Sequence, residues 1–554
     1  MKLNGASIVV ETLINHDVTD VFGFPGGAVL HLYDALYKRQ DKIKHHISCH
    51  EQGAAHAADG YSRSTGKTGV VIATSGPGAT NLVTGIATAY LDSVPLVAIT
   101  GNVALNLIGK DSFQEVDIAG ITLPITKHNY IVKDVGELED ILCEAFQIAK
   151  SGRPGPVLID IPKDIQAQEF EFSGGYPRAL FPEREISEAS LSDAAKLINQ
   201  SQRPFIYAGG GVSISAAFEK LKAFSDKIDA PIGTSMMGLS SVNYKNPHML
   251  GMTGMHGSYA ASKMKSESDL IIGIGVRFSD RATGNKEKYQ ENAKIIHIDI
   301  DNSEIDKNIR TDVHIIGDIK KVLDALTPMV NFQDHNDWNL RAVKYKATGK
   351  EIQNTETNPF TPRKIIKTVR KYATDNTVIA TDVGQHQMWV AQHYDFANPR
   401  TLLTSGGLGT MGFGVGAAIG ASIAHNKKRT VLFTGDGSFH MNMNEMATAV
   451  MHNIPIIVII LNNRVLGMVR QWQGIFYGNR FSNTTMNRQT DYVKLAEAFG
   501  AVGFKVTALG ELEMVLQQAF SETRPVIIDC LIDRDEKVLP MIPPGGSIDN
   551  IILN

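Results

Sequence analysis

Ten short apolar runs recur along this chain, none alternating apolar with polar residues: Gly69–Thr74, Leu96–Thr100, Val157–Ile161, Phe205–Tyr207, Leu270–Gly275, Ile295–Ile298, Val378–Thr381, Val431–Thr434, Ile456–Leu461 and Val526–Cys530. A short apolar run without alternation reads as a strand buried on both faces. Helical patterns lie between the runs, so the chain predicts an α/β protein with parallel sheets, the unit repeated. A length of 554 residues corresponds to three or four domains at about 150 residues each. Two breaks fit linkers. Residues 167–188 lack periodicity and carry Gly-Gly and prolines, and residues 331–362 are polar. They divide the chain into 1–166, 188–330 and 361–554, expected as three doubly wound parallel-sheet domains.

The first and last of these thirds share a pattern. VVIATSGPGATN followed by SVPLVAITGN resembles TVLFTGDGSFHMN followed by NIPIIVIILNN. Pro95 and Pro455 are 360 positions apart, as are Asn102 and Asn462. The spacing fits a duplicated unit, although βαβ units resemble one another in any case. One difference matters: Pro77 stands in the first copy where Asp436 stands in the second.

Charge and composition exclude several classes. With 54 Lys+Arg against 58 Asp+Glu, the net charge is -4, a poor match to a nucleic-acid wrapper, which needs a clustered basic face. Three cysteines (Cys49, Cys143, Cys530) are too few for a disulfide framework, and their spacing fits no zinc site. The N-terminus shows no apolar leader, and the longest strongly apolar stretch, Ile454–Leu461, is far short of the ~20 residues of a membrane span. The expectation is a soluble, cytoplasmic protein of a reducing compartment, without nucleic-acid or membrane partners. Glycine is in excess, with 50 residues. It concentrates in PGG, SGPG, AGGG, SGGLGTMGFGVG and GDG, turns where backbone can approach a phosphate or a ring.

The sharpest motif is Gly435-Asp436-Gly437, at the end of one predicted strand, with 24 residues before Asn462-Asn463 at the end of the next. Both lie at carboxyl edges of strands, where open α/β sheets bind ligands. Asp436 and Asn463 offer two hard oxygen ligands, as Mg²⁺ needs when phosphates and water complete its octahedron. A lone GDG is usually just a turn. With this spacing before Asn-Asn it is the thiamine diphosphate motif.

From here the chain resembles the acetohydroxyacid synthase (acetolactate synthase) large-subunit family of thiamine-diphosphate-dependent enzymes. The likeness covers nearly the whole length. It is carried by VFGFPGGAVLHLYDAL, HEQGAAHAADGYSR, TSGPGATN, FQEVDIAGITLPITKH, GRPGPVLIDIPKD, GMHG, TDVGQHQMW, TSGGLGTMGFG, GDGSFHMN and NNRVLGMVRQWQ. The resemblance implies thiamine-diphosphate-binding folds in the first and third domains and a Rossmann-like, FAD-type middle domain. It implies that pyruvate is decarboxylated on thiamine diphosphate. The hydroxyethyl unit then joins a second pyruvate, giving 2-acetolactate, or 2-oxobutanoate, giving 2-aceto-2-hydroxybutanoate. This is the first common step of branched-chain amino-acid biosynthesis.

Matching positions carry the implied roles. Asp436, Asn463 and the Val465 carbonyl match the Mg²⁺ ligands. Val383, Gly384, Gln385, His386, Gly435, Gly437 and Ser438 match the diphosphate segment, and Gly409, Met411 and Met468 match contacts to the rest of the cofactor. Met411 would wedge under a bent cofactor; by itself it reads as an ordinary core methionine. Glu51, by itself a helix-start acid, matches the glutamate that hydrogen-bonds N1′ of the aminopyrimidine. Gln114 and Lys163 match catalytic positions. Gly27, Ala28, Phe113, Met468 and Trp472 match the substrate pocket, with Trp472 tied to preference for 2-oxobutanoate; alone, Phe113 and Trp472 read as core. For FAD the matching residues are Arg153, Gly209, Gly210, Gly211, Thr234, Met255, His256, Gly275, Arg277, Arg281, Asp299 and Asp318. The implied partners are a second copy of the chain, with active sites at the subunit interface and a dimer of dimers beyond it, and a small regulatory subunit.

The chain departs from the family at three places. It has RFSDR (277–281) where RFDDR is usual, Val415-Gly416 where Leu-Pro is common, and Asn102 where Gln is usual. Ser279 removes one flavin contact. Rival readings are a catabolic, flavin-free acetolactate synthase serving acetoin formation, and another carboligase or decarboxylase such as sulfoacetaldehyde acetyltransferase. A nicotinamide or flavin oxidoreductase lacks its usual Gly-x-Gly-x-x-Gly with a downstream acid.

Overall fold

The computed structural model describes residues 1–176, 181, 184–353 and 358–553; residues 177–180, 182, 183 and 354–357 of the two expected linkers lie outside it. In chain order the strands are β1 (Lys2–Asn4), β2 (Asp20–Gly23), β3 (Lys44–Ile47), β4 (Gly69–Ala73), β5 (Leu96–Asn102), β6 (His128–Ile131), β7 (Pro156–Pro162), β8 (Glu169–Glu171), β9 (Pro204–Ala208), β10 (Ile232–Thr234), β11 (Met249–Met252), β12 (Leu270–Ile274), β13 (Lys294–Asp299), β14 (Val313–Ile316), β15 (Val378–Thr381), β16 (Leu402–Leu403), β17 (Thr430–Gly435), β18 (Ile457–Asn462), β19 (Val502–Val506) and β20 (Val526–Leu531). Three six-stranded sheets run β3-β2-β4-β5-β7-β6, β11-β10-β9-β12-β13-β14 and β16-β15-β17-β18-β20-β19. Every pairing within them is parallel. β1 and β8 pair antiparallel as a separate ribbon.

Each of the ten apolar runs forms a strand. Strands such as β4 and β18 are buried along their whole length, because helices cover both faces of a parallel sheet. The strands that the runs did not foretell are mostly short or at sheet edges, such as Lys-His-His-Ile at β3 and His-Asn-Tyr-Ile at β6.

The first and third sheets have the same strand order, position for position. The likeness reaches side chains. Asn102, ending β5, donates to Asp160 of β7 at 2.5 Å. Asn462, ending β18, donates to Asp529 of β20 at 2.8 Å. These two domains also pack together within the chain, through the helices Glu51–Thr65 and Phe413–Ala424. Glycine makes that crossing close: a Cβ at Gly416 would meet the Gly53 carbonyl at 2.7 Å, and Gly60 and Gly420 abut the backbone of Ala417 and Ala57. An added methyl at such a contact costs about 1–3 kcal/mol of overpacking.

The polar stretch 331–362, expected as a linker, instead contains the helix Asn336–Gln353. Only Trp338 and Ala342 of that helix are buried, so the sequence shows no stripe of apolar residues. It is fastened by single contacts. The Trp338 indole N–H donates to the Pro204 carbonyl at 3.0 Å, and the Tyr345 hydroxyl donates to Glu267 at 2.6 Å.

Candidate active site

In both outer sheets the order reverses between neighbours, at β15/β17 and at β2/β4. Such a switch point opens a crevice at the carboxyl ends of the strands. Nearly all the residues singled out in the outer thirds fall on the loops or helices that follow those ends.

At the third sheet, Asp436 follows β17 and Asn463 follows β18. Asp436 is 6% exposed, and its Oδ1 has no hydrogen-bond partner among the described residues. Burial pushes its carboxyl up to about 7, opposed in part by the Asn463 backbone N–H. A buried carboxylate oxygen without a partner is costly unless a cation or donor completes it. Asn463 Oδ1 accepts the Val465 N–H at 3.2 Å. Its amide donates to Gln385 at 3.1 Å, and Gln385 in turn donates to Gln471 and to the Glu536 carbonyl. Val465 bridges Thr485 through bonds from Leu466 to Thr484 and from Met486 to Arg464, so that bridge does not use its carbonyl. The donor set therefore fits a hard cation such as Mg²⁺: one carboxylate, one amide oxygen, one carbonyl and room for phosphate oxygens.

Val383 and Gly384 leave β15 beside this point. Gly384 has φ 151°, and His386 packs against it and against Gly435. Burial lowers the His386 imidazole to about 3, so it is neutral, and its Nε2 has no partner among the described residues. Ser438 donates to the Val383 carbonyl at 3.0 Å. Gly409 (φ 72°) and Met411 lie on the loop after β16. Asp382, which the sequence reading passed over, holds that loop's far end. Its carboxylate accepts from Gly414 N–H at 2.8 Å and from the Thr434 hydroxyl at 2.7 Å.

At the first sheet, Glu51 opens the helix Glu51–Thr65 and is 8% exposed. Asn81 donates to its Oε2 at 2.9 Å. Gly78 faces its Oε1, so that a Cβ there would stand 3.2 Å away. The turn before Glu51 is tied to the third-sheet domain: Glu445 accepts from His50 N–H at 3.0 Å and from Cys49 N–H at 3.2 Å. Ala28 N–H donates to Thr74 at 3.3 Å across the β2/β4 crevice. Gln114 is left-handed (φ 61°) and lies against Gly76, where a Cβ would meet its carbonyl at 2.8 Å. Lys163 begins the short helix after β7. Neither Asn81 nor Glu445 stood out in sequence, because an amide and an acid on helices have no periodic signature.

Where the three domains meet lies a cavity of about 2670 Å³, well beyond the roughly 300–1,000 Å³ of an ordinary ligand pocket. Arg153, Gly210, Gly211, Met255, His256, Gly275, Arg277, Arg281, Asp299 and Asp318 line it, as do Val383, Gly384, Gly409, Met468 and Trp472. Gly209 and Thr234 sit behind the wall. Gly209 and Gly211 pack on Gly275 too closely for a side chain; a Cβ at Gly211 would meet the Gly275 Cα at 2.7 Å. His256 Nδ1 is buried without a partner, and burial lowers that ring to about 4. Burial also raises Asp299 to about 6. Asp318 caps the helix Ile319–Met329. A glycine cradle with unpartnered polar atoms and arginines suits a dinucleotide-sized anion. At the far end the Arg281 guanidinium lies 5.5 Å from the Trp472 ring centroid.

Gly27, Ala28, Glu51, Phe113, Gln114 and Lys163 do not line this cavity, and Phe113 is 88% exposed. Asp436, Asn463, Val465, His386 and Met411 do not line it either, so the candidate residues fall at three places: the carboxyl edges of the two outer sheets and this cavity. Among the described residues no helix is long and apolar enough to cross a membrane.

Three family models match in order: the N-terminal thiamine pyrophosphate (TPP) binding domain of thiamine pyrophosphate enzymes over residues 3–121, the central domain over 191–326, and the C-terminal TPP binding domain over 382–530. The chain is 44% identical to an acetolactate synthase large subunit of Haemophilus influenzae, covering 100% of this chain and 98% of that protein. It is 44% identical to a probable acetolactate synthase large subunit of Methanocaldococcus jannaschii, covering 99% and 95%. It is 43% identical to an acetolactate synthase large subunit of Pyropia yezoensis, covering 98% and 94%.

Proposed function

The chain belongs to the acetolactate synthase large-subunit family of thiamine-diphosphate-dependent enzymes, and from that premise we propose how its residues divide the work. It takes pyruvate as donor and a second pyruvate or 2-oxobutanoate as acceptor, releasing carbon dioxide and 2-acetolactate or 2-aceto-2-hydroxybutanoate, in the biosynthetic role. The observation that carries the assignment is the partnerless, buried Asp436 Oδ1 beside Asn463.

Asp436, Asn463 and the Val465 carbonyl would hold Mg²⁺, which would supply positive charge for binding the diphosphate. Gly384, His386, Gly435, Gly437 and Ser438 bound the phosphates, His386 offering a neutral nitrogen. Bound thiamine diphosphate supplies the nucleophilic carbon and the electron sink. Glu51 would hold a proton for the aminopyrimidine ring once the cofactor is bound; its bond from Asn81 keeps the carboxyl oriented. Met411, Gly409 and Met468 would pack against the bound cofactor. Gly27, Ala28, Phe113, Gln114 and Lys163 enclose the substrates. Arg281, lining the cavity over Trp472 and itself 61% exposed, is the cation for the acceptor's carboxylate, a role the sequence did not single out.

The reading includes a homodimer in which Glu51 and Phe113 of one copy face Asp436 and Trp472 of the other. Phe113, Leu123 and Met441 are exposed at 88%, 68% and 55%, apolar surface that a second copy would cover. The middle cavity's glycine cradle and His256 support bound FAD, which favours the flavin-containing biosynthetic type over a flavin-free one. A small regulatory subunit is a further expected partner. The test supplies purified protein with pyruvate, thiamine diphosphate, Mg²⁺ and FAD. Acetolactate is the expected product, and its absence refutes the reading. Yellow protein with a flavin absorption band supports the FAD assignment, and colourless protein that takes up no FAD refutes it.

A further inference from the structure

The turn Leu91-Asp92-Ser93 ends the helix Val83–Leu91 in the first-sheet domain, yet its bonds reach the other two domains. The Asp92 side chain is fully buried. Its Oδ1 accepts from Gly407 N–H at 2.7 Å and its Oδ2 from Gly406 N–H at 3.0 Å. Arg63 closes the clasp. It pairs with Asp92 at 3.0 Å and with Asp59, and it donates to the Thr404 carbonyl at 2.8 Å. The segment Thr404–Gly407 is thus gripped by first-domain side chains immediately before Gly409 and Met411. On the other side of the turn, Arg277 donates to the Leu91 carbonyl at 2.6 Å and Arg153 Nε to the Ser93 hydroxyl at 2.8 Å. Both arginines line the large cavity, as do Asp92, Gly406 and Gly407.

We propose that Asp92 is a positioning residue for the thiamine-binding loop, and that the turn Leu91–Ser93 couples occupancy of the middle-domain cavity by a flavin dinucleotide to the affinity for thiamine diphosphate. The proposal rests on the cofactor assignments above. Two amide donors and a guanidinium converge on one carboxylate in a buried place, so the loop has one low-energy position while the carboxylate is there. An asparagine of the same size turns a donor toward one of those donors, and the clasp opens. An occupant that orders Arg277 and Arg153 orders the carbonyl and hydroxyl they hold, and with them the turn. Coupling of this kind is reciprocal: thiamine diphosphate tightens flavin binding by the same factor.

The test titrates the full-length, cofactor-stripped chain with thiamine diphosphate and Mg²⁺ by calorimetry, with and without saturating FAD, and FAD with and without thiamine diphosphate. In the natural chain FAD is expected to tighten thiamine diphosphate binding. In Asp92→Asn thiamine diphosphate is expected to bind about tenfold more weakly and to lose its dependence on FAD, while FAD alone binds as before. A purely architectural role would lower the melting temperature and both affinities together. Gly407→Ala opens the clasp from the other side with the ion pairs left in place, because its Cβ would stand 2.9 Å from Asp92 Oδ1 and from the Leu91 carbonyl. It is expected to reproduce the effect and decides the matter should Asp92→Asn not fold. Variants that bind thiamine diphosphate like the natural chain, or a natural chain whose thiamine diphosphate affinity ignores FAD, overturn the proposal alone. A natural chain that binds no thiamine diphosphate overturns the site assignment and this proposal with it.

Discussion

Replacing Trp472 by leucine tests where the acceptor is chosen. The indole lines the cavity, with Arg281 5.5 Å over its ring and Phe476 edge-on at 5.4 Å. Pyruvate and 2-oxobutanoate differ by one methylene. Burying a methylene against an apolar wall is worth about 0.8 kcal/mol, and that contact is what the ring face would provide in the proposed site. Leucine is smaller and leaves a gap there, so most of that term is lost, a fall of roughly fourfold in the preference for 2-oxobutanoate at about 1.4 kcal/mol per tenfold. The substitution also frees Arg281 from a cation–π contact of about 0.5–1 kcal/mol at an exposed site. That loss raises KM for both acceptors alike, because each presents the same carboxylate, and it cancels in the product ratio. The assay is therefore a competition: one vessel with both 2-oxo acids, both products quantified. The expected result is a ratio shifted toward 2-acetolactate with acetolactate formation retained. An unchanged ratio refutes the placement of Trp472 at the acceptor.

Glu51→Gln is expected to lower kcat by about 10²–10⁴-fold, the usual loss for a proton-transfer group, with thiamine diphosphate affinity little changed; a variant keeping a tenth of the activity would remove Glu51 from that role. Asp160→Asn tests the buried strand-end carboxyl, which burial raises from 3.8 to about 6 despite bonds from Thr100 and Asn102. The folded value lies above the unfolded one, so this group's stabilisation is full below the unfolded value and is lost as pH rises through about 6. Asparagine has no such loss, so the melting temperature of the variant relative to the natural chain is expected to be higher near pH 8 than near pH 5, by the equivalent of about 1 kcal/mol. A pH-independent difference would show that Asp160 is not the titrating group.

Much was legible in sequence because parallel α/β architecture writes itself into local pattern. Strands β4, β5 and β18 are covered on both faces, so their residues had to be uniformly apolar, and that uniformity identified them. The glycines at Gly384, Gly409 and Gly435 were visible because backbone at those turns is left-handed or pressed against His386 or Val383. Asp436 and Asn463 were visible because two strand ends at fixed spacing bring two oxygen donors to one edge. The repeat of the first third in the last was visible at Pro95 and Pro455, and the matching strand orders agree with it.

The helix Asn336–Gln353 was not legible, because two buried residues leave no stripe. Asp382, Asn81 and Glu445 were not legible either, because each acts on a neighbour hundreds or tens of residues away that only folding brings near. The same holds for Arg281, which the sequence assigned to the flavin and the fold brings over Trp472. The chain's own pattern determined its sheets and the residue types at their edges, since these follow from burial and backbone geometry within a few residues. Which edges face one another, and which side chains fix the loops between them, was decided by tertiary structure, because contacts such as Asp92 to Gly407 depend on how whole domains pack.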